Sequence, residues 1–114
     1  MNVAIVGSRD GIPEQLVQEK MDQFLEQNQI ARVVSGGARG VDTYGERWAK
    51  ARGIPVQIFY PDWNKFGRSA GFKRNADIVA AADIVIAFTT GSAGTANTIK
   101  LAREAGKKVI VWLC

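Results

Sequence analysis

Residues 32–43 read RVVSGGARGVDT, and the order of residue types in this stretch indicates the fold class. It opens with β-branched residues, passes through a loop that contains three glycines, and runs directly into a segment with apolar residues at helical spacing. A short apolar strand that leads into a helix is the repeating unit of a parallel sheet. The stretch therefore predicts an α/β protein in which further units of this kind precede and follow it.

The same alternation continues along the whole chain. We predict five strands, at residues 3–6, 32–35, 55–59, 84–88 and 109–113. Four helices are predicted between them: one runs from Pro13 to Asn28, and the others cover residues 41–52, 69–82 and 95–105. In the third helix, Phe72, Ala76, Val79 and Ala80 are predicted to form the buried stripe. This order predicts one three-layer α/β domain over residues 1–114, with a mostly parallel five-stranded sheet and helices on both faces.

The composition of the 114 residues excludes several classes of protein. Hydrophobic residues make up 46% and charged residues 23%, which is typical of a folded globular chain. No apolar run approaches the roughly 20 residues of a membrane span, and the first residues lack a secretory leader. The chain has no histidine and one cysteine, Cys114, which excludes an internal disulfide and His-dependent metal or catalytic sites. We expect a cytoplasmic protein with no metal, no cofactor and no membrane partner.

The positive charge of the chain is concentrated in one segment. The net charge is +4, from 15 basic and 11 acidic residues, and residues 65–74 contain four cations and no acid. These are Lys65, Arg68, Lys73 and Arg74. Such a cluster indicates an anionic partner, either a small molecule that carries phosphate or a nucleic-acid backbone. The alternative interpretation is a solvated helix face that has no partner.

Unusual residues follow the predicted strands, at the sheet edge where α/β proteins bind ligands. Two loops, at residues 35–43 and 89–95, are rich in Gly, Ser and Thr and lead into helices, whose first N–H groups bind anions. Neither loop has the spacing of a P-loop or of a dinucleotide fingerprint, and such turns can also serve only to connect a strand to a helix. The candidate ligand-binding residues are Gly7, Ser8, Arg9, Ser35, Gly36, Gly37, Arg39, Gly40, Asp42, Trp63, Arg68, Arg74, Asn75, Thr90, Gly91, Ser92, Gly94 and Thr95.

Some side chains allow a structural and a functional interpretation. Trp63 either stacks on a base or packs against the protein. The candidate catalytic carboxylates are Asp42, Asp10 and Glu46. Two of them also have a structural interpretation: Asp42 lies in the first turn of its helix, where an acid interacts favourably with the helix dipole, and Asp10 stabilises a turn. Phe72 and Asn75 are predicted to share the inward stripe of their helix with Arg68, where polar groups line a site or bond to neighbouring backbone.

Five stretches together resemble one protein family. They are GSRD at residues 7–10, SGGARGVD at 35–42, Trp63, GRSAGFKRN at 67–75, and GSAGTA at 91–96. This series, in this order, is similar to the YspA-like branch of the SLOG superfamily. The resemblance implies a Rossmann-like fold related to DprA and to the LOG phosphoribohydrolases. It also implies that the glycine-rich loops hold the phosphates of a nucleotide or of a nucleotide-derived signal.

The chain departs from the LOG enzymes at one position that matters for chemistry. Those enzymes carry a Pro-Gly-Gly-x-Gly-Thr-x-x-Glu motif, whose glutamate serves N-glycosidic cleavage. Here Gly94 and Thr95 are kept, but Thr98 stands where the glutamate would be. A threonine cannot stabilise an oxocarbenium-like transition state as a carboxylate does. The resemblance therefore implies that phosphate binding is retained, whereas the missing glutamate argues against LOG-type hydrolysis; a hydrolase that uses Asp10, Asp42 or Glu46 instead is the alternative.

Three functions are consistent with these observations. The first is a module that binds an ADP-ribose-like or cyclic nucleotide, as a sensor or as a protein that sequesters the signal, as phage proteins do. The second is a small nucleotide N-glycosidase. The third is a DprA-like binder of single-stranded DNA, ranked last because four cations form a modest footprint. We also expect a homo-oligomer, in which Trp112 lies near the interface.

Overall fold

Strands and helices alternate through the computed structural model, which describes all 114 residues. The strands are β1 (Asn2–Gly7), β2 (Arg32–Ser35), β3 (Val56–Ile58), β4 (Ile84–Thr89) and β5 (Lys108–Leu113). The helices are α1 (Glu14–Gln27), α2 (Val41–Ala51), α3 (Trp63–Phe66), α4 (Ala70–Ala81) and α5 (Ala93–Glu104), with a 3₁₀ turn at Gly67–Ser69. The predicted α/β order is confirmed.

The five strands form one sheet in the order β3-β2-β1-β4-β5, and all of its pairings are parallel. β1 is central: Val3 pairs with Val33 of β2 on one side and with Ile84 of β4 on the other. The chain builds outward from β1 to β3, then crosses back and builds outward through β4 and β5. The order of the strands therefore reverses between β1 and β4, where α/β sheets open a ligand crevice.

Both faces of the sheet are covered, because successive residues of β1 point to opposite sides. One buried cluster lies between the sheet and helices α1 and α2, and a second lies between the sheet and helices α4 and α5. The first includes Val3, Ile5, Met21 and Trp48, and the second includes Ala4, Val6, Ile78 and Ala102. This is the predicted three-layer architecture. No helix combines the length and the apolar character that crossing a membrane requires.

The segment after β3 differs from the prediction. It contains α3 and the 3₁₀ turn where the sequence predicts a loop, and Asp62 caps α3 by accepting a hydrogen bond from the backbone N–H of Lys65 at 3.1 Å. Four residues are too few for an apolar period to be visible in the sequence. The other helices and strands end within three residues of their predicted limits.

The buried stripe of α4 is also wrong in the prediction. Phe72, Ala76 and Ala80 are exposed, and of the four predicted residues only Val79 is buried. The inward stripe is Asn75, Ile78, Val79 and Ala82, shifted around the helix. This stripe begins with a polar residue, Asn75. A prediction that assigns the most apolar face of the helix to the core therefore chooses the wrong face.

Candidate functional site

A cleft of about 510 Å³ opens at the carboxyl edge of the sheet, at the point where the strand order reverses. Its walls come from the loop after β1, the start of α5, and the segment from α3 to α4. Most of the predicted ligand-binding residues line it: Gly7, Ser8, Arg9, Asp42, Trp63, Arg68, Arg74, Asn75, Thr90, Ser92, Gly94 and Thr95. The rule that ligands bind at the strand reversal therefore leads to a real cavity.

The structure does not bring the other predicted residues into the lining of the cleft. These are Ser35, Gly36, Gly37, Arg39, Gly40 and Gly91. Among the candidate carboxylates, Asp10 and Asp42 line the cleft and Glu46 does not.

Packing explains why the glycines of residues 36–40 stay outside the lining. A Cβ added at Gly40 would lie 2.4 Å from the carbonyl oxygen of Arg9, and one at Gly37 would lie 2.5 Å from the ring of Tyr60. At Gly36 it would meet the Arg74 guanidinium at 2.8 Å. Protein atoms therefore fill the space above these glycines that a ligand was expected to occupy.

Two of the remaining side chains are held by partners within the protein. The Ser35 hydroxyl is fully buried and donates to Glu46 Oε2 at 2.6 Å, so both groups connect β2 to α2. Arg39 forms an exposed ion pair with Asp10, with a nitrogen–oxygen distance of 2.9 Å. Arg39 donates a hydrogen bond that lowers the pKa of Asp10. Asp10 is therefore held ionised, which is unfavourable for a general acid.

A cluster of hydroxyl groups forms the floor of the cleft at the strand reversal. Ser8 Oγ lies 3.3 Å from Thr89 Oγ1 and 3.1 Å from Ser92 Oγ, and it accepts a hydrogen bond from the Thr90 N–H at 3.0 Å. Ser92 Oγ donates to Thr95 Oγ1 at 2.9 Å. Because a hydroxyl can both donate and accept, this cluster can turn donors toward an anion without moving the backbone.

Helix α5 begins beside these hydroxyls. The side chain of its N-cap residue, Ser92, accepts no hydrogen bond from a backbone N–H of the first turn, so these N–H groups keep their capacity to bind an anion. Gly94 lies in this turn, and nothing stands within 4 Å of the position that its Cβ would occupy. The start of α5 is therefore open, in contrast to the filled glycine loop before α2.

Arg74 is anchored at the base of the cleft by two hydrogen bonds. Its Nη1 donates to the carbonyl oxygen of Gly36 at 2.5 Å, and its Nε donates to Asn75 Oδ1 at 3.1 Å. Asn75 in turn donates to Asn97 Oδ1 at 3.0 Å. Burial lowers the pKa of Arg74, the nearby Asp42 charge raises it, and the charge of Arg9 lowers it. Two guanidinium groups that repel each other favour an anion between them.

Asp42 is a buried carboxyl group in the wall of the cleft, with 6% of its surface exposed. The Ala38 N–H donates to its Oδ2 at 3.2 Å. Burial raises its pKa from 3.8 to about 6, and the nearby Glu46 charge also raises it, whereas the Ala38 N–H, the Arg74 charge and the Gly36 N–H lower it. Asp42 thus titrates close to neutral pH, as a general acid or base must.

Two aromatic rings form the outer wall of the cleft. Trp63 is 58% exposed and Phe72 is 59% exposed. Trp63 is therefore not a packing plug. Phe72 was not predicted as a cleft residue because an apolar ring at helical spacing is typical of the core; its position four residues after Arg68, which also lines the cleft, was the available signal. Exposed rings beside a polar floor can stack on a planar ligand.

The cations of residues 65–74 do not form one continuous basic surface. Lys73 Nζ is 2.5 Å from Asp77 Oδ1, and Arg74 turns inward as described above. Lys65 lies over the ring of Phe66, 5.2 Å from its centre. Arg68 lines the cleft and has no carboxylate within 4 Å. The excess charge of the sequence is thus directed partly into the cleft.

Thr98 lies in the cleft wall, where the resemblance to LOG enzymes places a catalytic glutamate. It is buried, and its hydroxyl donates to the carbonyl oxygen of Gly94 at 3.3 Å. This side chain supports the first turn of α5 and supplies no carboxylate.

Comparisons with known proteins agree with this architecture. The gene 61 protein of Mycobacterium phage D29 is 41% identical over 85 residues, which cover 68% of this chain and 68% of the phage protein. The structure of DNA processing protein A (DprA) from Streptococcus pneumoniae superimposes with a TM-score of 0.79 and 23% identity. That match covers 96% of this chain but only 49% of DprA, so the chain spans about half of its length. Residues 1–66 match the YAcAr family, described as the YspA, cpYpsA-related SLOG family, and the chain belongs to this family.

Proposed function

We propose that the protein binds a nucleotide or a nucleotide-derived signalling molecule in the cleft at the strand reversal. One observation carries the proposal: a single cavity combines an open helix N-terminus, three arginines and two exposed aromatic rings. Helix N-termini and arginines bind phosphate, and exposed rings stack on bases. A volume of about 510 Å³ also falls within the range of small-molecule sites.

Each part of the cleft has a role in this proposal. The hydroxyls of Ser92 and Thr95 and the first turn of α5 hold a phosphate, and Arg9 and Arg68 neutralise its charge. Neither arginine has a carboxylate within 4 Å, so both are available to a ligand. Trp63 stacks on the base. Binding without turnover suits a sensor or a protein that sequesters a signal.

A thermal-shift screen tests the proposal. The purified protein is mixed with AMP, ATP, NAD, ADP-ribose, cyclic nucleotides and a short single-stranded DNA, and each sample is then analysed by HPLC. A ligand at 100 times its dissociation constant adds about 2.7 kcal/mol of stability, which is readily measured. A shift with the nucleotide recovered intact supports a binding protein. The absence of a shift with every nucleotide refutes the proposal.

Two variants show whether binding occurs in the cleft. Arg68→Ala removes a cation from the cleft wall, and we expect it to weaken binding of the nucleotide about tenfold or more, because a hydrogen bond to a charged group contributes about 1.5–3 kcal/mol. Arg103→Ala removes the same charge from the last turn of α5, at the far end of that helix. This control should bind as the wild type does.

The buried Asp42 favours a second candidate function, a small nucleotide N-glycosidase. A carboxyl group with a pKa of about 6 in a ligand cleft is suited to proton transfer. In this case the same HPLC traces contain a free base or a ribose product, and the Asp42→Asn variant forms neither product.

Binding of single-stranded DNA remains an alternative that the same screen tests. The structural neighbour is by name a DNA processing protein, but Lys73 and Arg74 are engaged within this chain. Affinity for DNA that falls steeply with salt would identify the surface cations as the binding site, whereas a ligand in the cleft is less sensitive to salt.

A further inference from the structure

The carboxylate of Asp42 has one oxygen without a hydrogen-bond donor in the protein. Ala38 N–H donates to Oδ2, and no hydrogen bond of the protein reaches Oδ1. Every side-chain oxygen or nitrogen that is sealed from solvent does have a partner. Oδ1 is therefore not sealed, and since Asp42 lines the cleft, this oxygen opens toward the ligand space.

Arg74, the nearest cation, does not neutralise Asp42 through an ion pair. No nitrogen of Arg74 lies within 4 Å of a carboxylate oxygen, and its Nη1 and Nε donate to Gly36 and Asn75 instead. A carboxylate that is 94% buried, with no ion pair and with one oxygen that accepts no hydrogen bond, is costly for the folded protein. A ligand that supplies a donor to Oδ1 recovers part of this free energy.

The chemistry of the cleft restricts which part of a nucleotide lies at Asp42. An ionised carboxylate only accepts hydrogen bonds, and it repels phosphate. In the proposed function the phosphate lies at the start of α5 and the base lies on Trp63. The remaining part, the sugar, carries hydroxyl donors. We propose that Asp42 accepts hydrogen bonds from the vicinal 2′- and 3′-hydroxyls of a ribose, so that the cleft selects ribonucleotides over deoxyribonucleotides; this inference rests on the proposed function.

Calorimetric titration at pH 7.5 tests the inference. ADP and ADP-ribose are each compared with their 2′-deoxy counterparts, and cyclic di-AMP serves as a nucleotide without a vicinal hydroxyl pair. We expect the deoxy compounds to bind about tenfold to a hundredfold more weakly, the effect of losing a hydrogen bond to a charged group. Equal affinity of ribo and deoxy forms, or binding of cyclic di-AMP alone, overturns the inference and leaves the proposed function standing. If no nucleotide binds, the proposed function fails as well.

Variants of Asp42 separate recognition from support of the fold. In Asp42→Ala and Asp42→Asn, the ratio of ribo to deoxy affinity should fall toward one, whereas a purely structural change would weaken both ligands equally. Asp42→Asn keeps the shape of the side chain, so it serves as the test if the alanine variant does not fold, as judged by circular dichroism. Glu26→Gln removes an exposed carboxylate from the end of α1 at the opposite edge of the sheet. This control should retain the wild-type ratio, and an unchanged ratio in Asp42→Asn would count against the inference.

Discussion

Replacing Asp42 by asparagine should stabilise the protein at neutral pH in the absence of ligand. Burial raises the pKa of this carboxyl group from 3.8 to about 6, which means that the fold disfavours its ionised form. At about 1.4 kcal/mol per pH unit, this displacement corresponds to about 3 kcal/mol at neutral pH. Asparagine carries no charge and retains an oxygen that can accept from the Ala38 N–H, so the variant avoids this cost.

The direction of the pH dependence follows from proton binding. Between the two pKa values the folded protein binds more protons at Asp42 than the unfolded chain does, so the stability of the wild type falls as the pH rises through this range. At pH 4 Asp42 is neutral in the folded protein. Between pH 4 and pH 7, the stability of Asp42→Asn relative to wild type should therefore increase by about 2 kcal/mol.

Urea unfolding followed by circular dichroism measures this difference. Free energies of unfolding are obtained for both proteins at pH 4, 5, 6 and 7, without nucleotide. The comparison across pH cancels any effect of the amide that does not depend on the charge of Asp42. If the difference between the two proteins is the same at pH 4 and pH 7, or shrinks as the pH rises, the assignment of a buried, destabilising charge to Asp42 is refuted.

Three further substitutions test how glycines and hydroxyls build the site. Gly40→Ala should lower the free energy of unfolding in urea by more than about 2 kcal/mol, because residue 40 has a positive φ and the added Cβ meets the backbone of Arg9. Gly53→Ala is the control: residue 53 has a similar φ but no neighbouring atom, so this variant should lose only about 1 kcal/mol. Gly94→Ala should raise the melting temperature slightly, since alanine favours helix, while narrowing the cleft and weakening nucleotide binding in calorimetric titration. Ser8→Ala should cost about 2 kcal/mol in the same urea assay, because it leaves buried hydroxyl and N–H partners unpaired.

The strands and their parallel arrangement were predictable because a strand that is buried on both faces appears in the sequence as a continuous run of apolar residues. Residues 3–6 and 84–88 are continuous apolar runs, and in the sheet they pair with each other at its centre. The short helix α3 has no such signal in the sequence, since four residues cannot show a period. The phase of α4 was missed for a different reason: its inward stripe begins with Asn75, a polar residue that is buried because Asn97 and Gly94 accept its hydrogen bonds.

The position of the cleft was predictable from topology alone. Once the strands are known to be parallel, the loops after them must share one edge of the sheet, and this brings Ser8 next to Ser92 although 84 residues separate them. The residues that form the outer wall of the cleft were not predictable, because they depend on the presence of α3 and on which face of α4 is buried. Phe72 is exposed at the cleft as a direct result of the phase of α4.

The two glycine-rich loops show why such a loop does not by itself identify a ligand site. Both are rich in small residues and both precede a helix, yet Gly36, Gly37 and Gly40 lie against protein atoms, while Gly91 and Gly94 face open space. The contacts that fill the first loop come from residues distant in sequence: Arg74 lies against Gly36, 38 residues away, Tyr60 lies against Gly37, and the backbone of Arg9 lies against Gly40. A local pattern cannot distinguish close approach by the protein's own side chain from close approach by a ligand, because both require the absence of a Cβ. We therefore propose the start of α5 as the phosphate-binding element, and the loop before α2 as the support that positions Asp42 and Arg74 in the cleft.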